Sequence, residues 1–360
     1  MDAQSHQSRI KQLRAKMDDA GHGALLVMSL VNIRYLTGFT GSAAAVLVTQ
    51  AETFIISDFR YRLQASREVR AAEFVEVEKT VGQTVARLLG TGDISLAAEA
   101  NHMNVVEWSR LQSEMGDIQV LRSEGMVESL RARKDEEEIR RVRESAKLLK
   151  EAFCHLEEMQ VVGRTERDVA LDLEVWVRRN GSDPVPFPYI VAFGTNGAMP
   201  HATASQKIIA GSGLLVVDIG TSMEGYCADM TRTYGVGELS DEAEGIYEVV
   251  RRAQETGLQA AKAGLPANEM DKAARTVIED AGMGEYYKHG LGHGVGLEVH
   301  EAPRIGSRSI DVLEADMVFT VEPGVYRSEI GGVRIEDTVV LRSEGLEVLT
   351  VHPHELRTLE

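Results

Sequence analysis

Between residues 218 and 336 the chain carries four carboxylates and one imidazole, Asp218, Asp229, His293, Glu322 and Glu336, each beside a strand-like run or a turn. The set has no sulfur and only one nitrogen donor, which is wrong for a structural zinc clip. It suits a pair of hard or borderline divalent cations with open coordination positions, a catalytic arrangement. If these five residues converge, the expected chemistry is metal-assisted hydrolysis at a dinuclear centre.

Each residue's neighbours bear on that reading. Leu214-Leu-Val-Val-Asp218 is an apolar strand ending in an acid, followed by a glycine-containing turn and a second strand bearing Asp229. That pattern predicts a β-hairpin. A carboxylate closing an apolar run is buried and needs a partner, although taken alone each aspartate could equally belong to a turn. Glu322 ends the strand Phe319-Thr-Val before a Pro-Gly turn. Glu336 follows Arg334 by two residues, so on a strand both face the same side; an ordinary salt-bridge pair would show the same spacing. The run His289-Gly-Leu-Gly-His293-Gly-Val-Gly holds four glycines around two histidines, with His300 just beyond. Glycines so dense preclude a stable helix and let the backbone pass close to another element. His201 follows a loop rich in glycine and proline and can join the others. His6, His22, His102, His155, His352 and His354 have no such context and read as solvated or structural.

The ordered ligand set, together with GLGHGVGLEVHEAP, FTVEPGVY and GVRIEDT, resembles the pita-bread metallopeptidases, and among them Xaa-Pro aminopeptidases and Xaa-Pro dipeptidases (prolidases). The segment NIRYLTGFTGS from Asn32 resembles their N-terminal domain, so the resemblance spans nearly the whole chain. It implies an α/β N-terminal domain and an α+β pita-bread catalytic domain. One cation would be held by Asp218, Asp229 and Glu336, the other by Asp229, His293, Glu322 and Glu336, the metals being Mn, Co or Zn. A hydroxide bridging them would attack the scissile carbonyl, with Glu322 carrying the proton to the leaving nitrogen. By the same resemblance His201 and His300 contact substrate and tetrahedral intermediate, His289 lines the proline-side pocket, and Arg334 supports a histidine or a substrate carboxylate. The implied substrate is a peptide with proline second, and the implied assembly a homodimer. One departure stands out: residues 191–200 read VAFGTNGAMP where relatives often show Ser-Gly-x-Asn-Ser, which bears on substrate selection rather than on the metals. Competing readings are a metal-free amidinohydrolase resembling creatinase and a non-enzymatic binding protein on the same scaffold. Both should have lost ligands, and all five are present.

The elements that must position these groups follow from the rest of the pattern. Residues 1–125 alternate helical and strand-like runs, predicting an α/β domain with helices near 8–20, 60–69 and 82–89 and strands near 24–28, 44–48, 53–57 and 74–78. Residues 126–360 predict an α+β domain: helices near 134–159, 165–180, 241–263 and 267–281, and strands near 214–219, 225–234, 317–321 and 333–341. At 360 residues with a formal net charge of −17, the chain repels phosphates, which excludes nucleic acid and anionic membranes as main partners. Cys154 and Cys227 read as buried free thiols of a reducing compartment. The N-terminus lacks the apolar core of a secretory signal and no run approaches a membrane span, so a cytoplasmic enzyme is expected.

Overall fold

The computed structural model describes residues 3–90 and 94–360; Met1, Asp2 and residues 91–93, part of the expected N-terminal domain, lie outside the described residues. The chain groups into two compact units, Met1–Arg131 and Ala132–Glu360.

In the first unit a six-stranded sheet runs in the order β4-β3-β2-β1-β5-β6. Its strands are β1 (Ala24–Val27), β2 (Ala45–Thr49), β3 (Thr53–Ser57), β4 (Glu73–Glu76), β5 (Leu96–Glu99) and β6 (Val120–Ser123). Helix α1 (Ala3–Asp19) buries Ile10, Leu13 and Met17 at helical spacing. It is followed by α2 (Leu30–Thr37), α3 (Arg62–Glu68), α4 (Val81–Leu89), α5 (Val105–Glu114) and α6 (Glu128–Arg131). On one sheet face Leu26, Leu47, Ile56 and Leu96 pack with Val85 and Leu89 of α4 and Leu111 of α5. β1 is buried along its whole length, which is why it reads as a continuous apolar run rather than an alternating one.

The second unit opens with α7 (Glu136–Glu158), started by a capping box between Asp135 and Glu138, and α8 (Glu166–Arg179), whose N-cap Thr165 accepts from the Asp168 amide. A four-stranded sheet holds β7 (Ile190–Phe193), β8 (Gly213–Met223), β9 (Tyr226–Val236) and the short C-terminal Thr358–Leu359, in which the chain's last strand lies parallel to β9. β8 and β9 form a long hairpin whose turn residues Glu224 and Gly225 have φ of 51° and 83°, as a two-residue turn requires. Then come α9 (Asp241–Ala260) and α10 (Ala267–Asp280). A five-stranded sheet follows, ordered β11-β10-β12-β15-β16, from β10 (Gly292–Gly294), β11 (Glu301–Ile305), β12 (Val318–Val321), β15 (Asp337–Arg342) and β16 (Gly345–Val348). A separate hairpin pairs β13 (Gly324–Arg327) with β14 (Gly331–Arg334); Thr358–Leu359 is β17.

The core fixes which way the functional strands face. Phe319 and Val321 of β12 and Val339 and Leu341 of β15 pack on Met270 and Ala274 of α10. Side chains alternate along a strand, so Thr320 and Glu322 project to the side away from the helices.

Two expectations are corrected here. The run expected as one strand over 333–341 is two: β14 pairs with β13, β15 pairs with β12 and β16, and Ile335 and Glu336 lie at the break. Cys154, expected buried, is exposed on α7, whereas Cys227 is buried, and both are free thiols. Its neighbours Ala152 and Phe153 take the buried positions of that turn, leaving Cys154 on the outer face.

Candidate metal centre

The β8–β9 register aligns Asp218 with Thr231 and Gly220 with Asp229. A two-residue period therefore puts Asp218, Asp229 and Thr231 on one face of the hairpin. The strand break delivers Glu336 to the same place: its amide donates to the Thr231 carbonyl at 3.1 Å, and its Oε2 accepts from Thr231 Oγ1 at 2.6 Å. Glu322 leaves the end of β12 with Oε1 accepting from Thr320 Oγ1 at 3.0 Å. His293 sits on β10, its amide donating to the same Thr320 hydroxyl oxygen at 3.1 Å. His293 Nδ1 lies 3.2 Å from the Gly294 carbonyl, which can only accept. That bond assigns the proton to Nδ1 and turns Nε2 inward, 3.2 Å from Glu322 and 4.0 Å from Asp229.

Three of the four glycines around His293 have a visible cause. A Cβ on Gly292 would fall on the Thr320 carbonyl oxygen, one on Gly294 on the Ala302 carbonyl, and one on Gly290 within 2.6 Å of the Ile305 carbonyl. β10 is squeezed between β11 and β12, and only glycine fits there. Gly292→Ala is expected to cost about 3 kcal/mol or more, the scale of severe overpacking. Gly245→Ala, at a helical site with open space around it, should instead stabilise by about 0.5–1 kcal/mol. Thermal melts of the two variants check the pair; equal melting temperatures would contradict the crowding argument.

All nine residues selected from the sequence, including His201, His289, His300 and Arg334, line one cavity of about 440 Å³. Ligand atoms of Asp229, His293 and Glu336 lie within 4.8 Å of one another. The carboxylate oxygens Asp218 Oδ1 and Asp229 Oδ1 are buried and accept no hydrogen bond. Burial, and then the charges of neighbouring carboxylates, push Asp229 and Glu336 well above the usual carboxylate range. Burial also pushes Glu322 up, but the His293 hydrogen bond, His293 charge and Arg334 outweigh it and bring it to about 2. Inward lone pairs of acids crowded beside one oriented imidazole are the donor set that two divalent cations require, so the residues present fit such a pair.

Arg334, 4% exposed, places Nη2 2.5 Å from Asp218 Oδ2, Nε 3.0 Å from Thr231 Oγ1, and Nη1 2.8 Å from the Tyr326 hydroxyl and 3.2 Å from the Pro200 carbonyl. Tyr326 OH lies 3.1 Å from His289 Nε2, whose Nδ1 faces the Gly290 carbonyl at 2.8 Å. Burial, chiefly, lowers the His289 pKa, so the ring is neutral and accepts from the tyrosine. The His300 ring meets His293 edge-on at 4.2 Å between centroids. His201 and His300 are exposed at the cavity's mouth.

The sequence reading had not singled out Thr231, Thr320, Tyr326 or the apolar wall Phe187, Pro188 and Ile190. The threonines carry a signal in retrospect: Thr231 stands two residues from Asp229 on β9, and Thr320 two residues before Glu322 at the end of β12, each on the same side as its candidate ligand. His352 and His354 prove structural, bonding Glu157 at 2.9 Å and Asp337 at 2.7 Å.

Residues 140–343 match metallopeptidase family M24, and residues 9–133 match the creatinase/prolidase N-terminal domain. A solved Xaa-Pro dipeptidase from Bacillus anthracis superposes with a TM-score of 0.95 at 39% identity, covering 98% of this chain and 100% of that one. An X-Pro aminopeptidase structure from Thermotoga maritima gives 0.87 at 35% identity, over 96% and 100%. The Xaa-Pro dipeptidase of Pyrococcus horikoshii is 33% identical across 97% of this chain and 98% of its own length.

Proposed function

Because the chain belongs to metallopeptidase family M24 and carries the creatinase/prolidase N-terminal domain, we propose that this metallopeptidase uses two divalent cations to hydrolyse the bond before a proline in second position. The observation that carries the reading is the convergence of nine chemically apt residues on one cavity, with buried Asp218 and Asp229 oxygens left free for a cation.

Asp218, Asp229 and Glu336 would hold one ion, and Asp229, His293, Glu322 and Glu336 the other, so that Asp229 and Glu336 serve both. When bound, such a pair supplies Lewis-acid polarisation of a carbonyl and activation of a water molecule. The protein's own groups do the rest. Arg334 and Thr231 orient Asp218 and Glu336, and Thr320 orients Glu322 and the His293 backbone. The Glu322 carboxylate takes a proton from the attacking water and returns it to the leaving nitrogen as the C–N bond breaks. His201 and His300, at the mouth, donate to the substrate carbonyl and to the tetrahedral oxygen. Neutral His289, fixed by Tyr326, offers an uncharged edge beside the prolyl ring, and Phe187, Pro188 and Ile190 supply apolar surface for it. A prolyl nitrogen has no N–H and a restricted φ, so recognition by shape and apolar contact suits it.

The reading is tested on chelator-treated protein reconstituted with Mn, Co or Zn, assayed on Ala-Pro and on Ala-Pro-Ala. Hydrolysis of an Xaa-Pro bond that depends on added metal is expected, and the ratio of the two rates assigns dipeptidase or aminopeptidase. Full turnover by metal-free protein would overturn the metal chemistry, and turnover of creatine instead would favour the amidinohydrolase reading. Among the described residues no helix is long and apolar enough to cross a membrane.

A further inference from the structure

His201, Pro200 and Thr203 reach the cavity from a loop that leaves β7 at Phe193 and returns near Ser205. The tip is poorly sheltered: Met199 is 52% exposed, and His201 and Thr203 are exposed as well. Both ends of the loop, however, converge on one side chain, Glu166, the first residue of α8, whose exposure is 0%. Its Oε1 accepts from the Phe193 amide at 2.8 Å and from Asn196 Nδ2 at 3.1 Å. Its Oε2 accepts from Asn196 Nδ2 at 3.1 Å, the Ser205 amide at 3.0 Å and Ser205 Oγ at 2.6 Å. The Glu166 amide donates to the Lys207 carbonyl at 3.0 Å.

A fully buried carboxylate is costly unless all its lone pairs are used. Here they are used, and every donor belongs to the loop or its two ends. Ordinary core packing would have been served by an apolar residue. From this geometry we infer that Glu166 is a positioning residue for the peptidase reaction: by clamping the departing and returning strands of the loop, it holds His201 over the substrate. The inference rests on the peptidase reading for its catalytic consequence, while the clamp itself stands on the hydrogen bonds. The same residue explains how the unusual 191–200 segment keeps a defined course: Asn196, the side chain that links both carboxylate oxygens, lies within it.

Glu166→Gln tests the clamp, because an amide keeps one acceptor oxygen and turns an NH2 group toward N–H donors that then lose their acceptor. Ser205→Ala is the milder companion: it leaves the carboxylate in place and deletes the hydroxyl's bond to Oε2 together with those it accepts from the Lys207 amide and Asn196 Nδ2. Hydrogen exchange on the metal-loaded protein should show faster exchange at the Phe193 and Ser205 amides and through the intervening loop, with metal content unchanged. On Ala-Pro, kcat/KM should fall about tenfold to a hundredfold for Glu166→Gln, the scale of a displaced catalytic group, and less for Ser205→Ala. Because Glu166 acts through His201, adding Glu166→Gln to His201→Ala should cause little further loss. Unchanged exchange in the loop would overturn the clamp, and additive losses in the double variant would overturn its action through His201. Failure of the peptidase reading would show separately, as a wild-type protein that does not cleave Xaa-Pro peptides while the exchange measurement still judges the clamp.

Discussion

Asp229→Asn is expected to lower kcat/KM by about 10³-fold or more, the scale of losing preorganised transition-state charge stabilisation, and at the same time to make the metal-free protein more stable. The two effects have one origin. Asp229 is buried against Glu336, Asp218 and Glu322, so both its burial and its neighbours disfavour the ionised form. A carboxyl raised above its unfolded value contributes stability that is fully present below the unfolded pKa, about 4, and is lost as pH rises through the folded value. At neutral pH Asp229 and Glu336 therefore oppose folding of the metal-free protein. An isosteric amide removes one of these charges. The metal-free variant should melt roughly 3 °C above metal-free wild type near pH 7.5, corresponding to about 1 kcal/mol for a domain of this size. The gap should shrink as pH falls toward the ordinary carboxylate range. Metal content by elemental analysis and paired melts with and without chelator decide the matter. A variant that keeps two ions at wild-type affinity, or whose metal-free form melts lower, would remove Asp229 from the centre.

Glu322→Gln should keep the fold and lose turnover. The side chain is hydrogen-bonded to Thr320 and 3.2 Å from His293, contacts that an amide of the same shape largely reproduces. What it cannot reproduce is a carboxylate able to take a proton and pass it on. A fall in kcat of about 10²–10⁴-fold is expected, the usual worth of a positioned acid–base group. Because Glu322 also belongs to the proposed ligand set, kcat must be measured with metal titrated to saturation. An unchanged kcat there would exclude it from proton transfer.

The candidate ligand set was legible because burial makes chemistry local. An aspartate closing Leu-Leu-Val-Val, or a glutamate closing Phe-Thr-Val, must find a partner in the interior, and the chain advertises that need within a few residues. The crowded glycines around His293 were legible for a similar reason, as a backbone with no room for a Cβ. Several elements were not. Helices α2 and α5 and strands β5, β6 and β7 lie in stretches whose periodicity does not mark them; α5 buries only Leu111 of its ten residues, too little for an apolar stripe.

The chain by itself determined which side chains are candidates for chemistry, their donor types, and the two-domain architecture that the resemblance implied. Only the tertiary structure decided how they meet. The break between β14 and β15 aims Glu336 at Thr231, where an uninterrupted strand had been expected. Arg334 turned out to grip Asp218, Thr231, Tyr326 and the Pro200 carbonyl from inside the protein. The difference has a physical reason: a residue's donors, charge and need for a partner are properties of the residue and its neighbours in sequence. Its actual partner lies about a hundred residues away, as Thr231 does from Glu336, and is chosen by strand register and by which face the core leaves open.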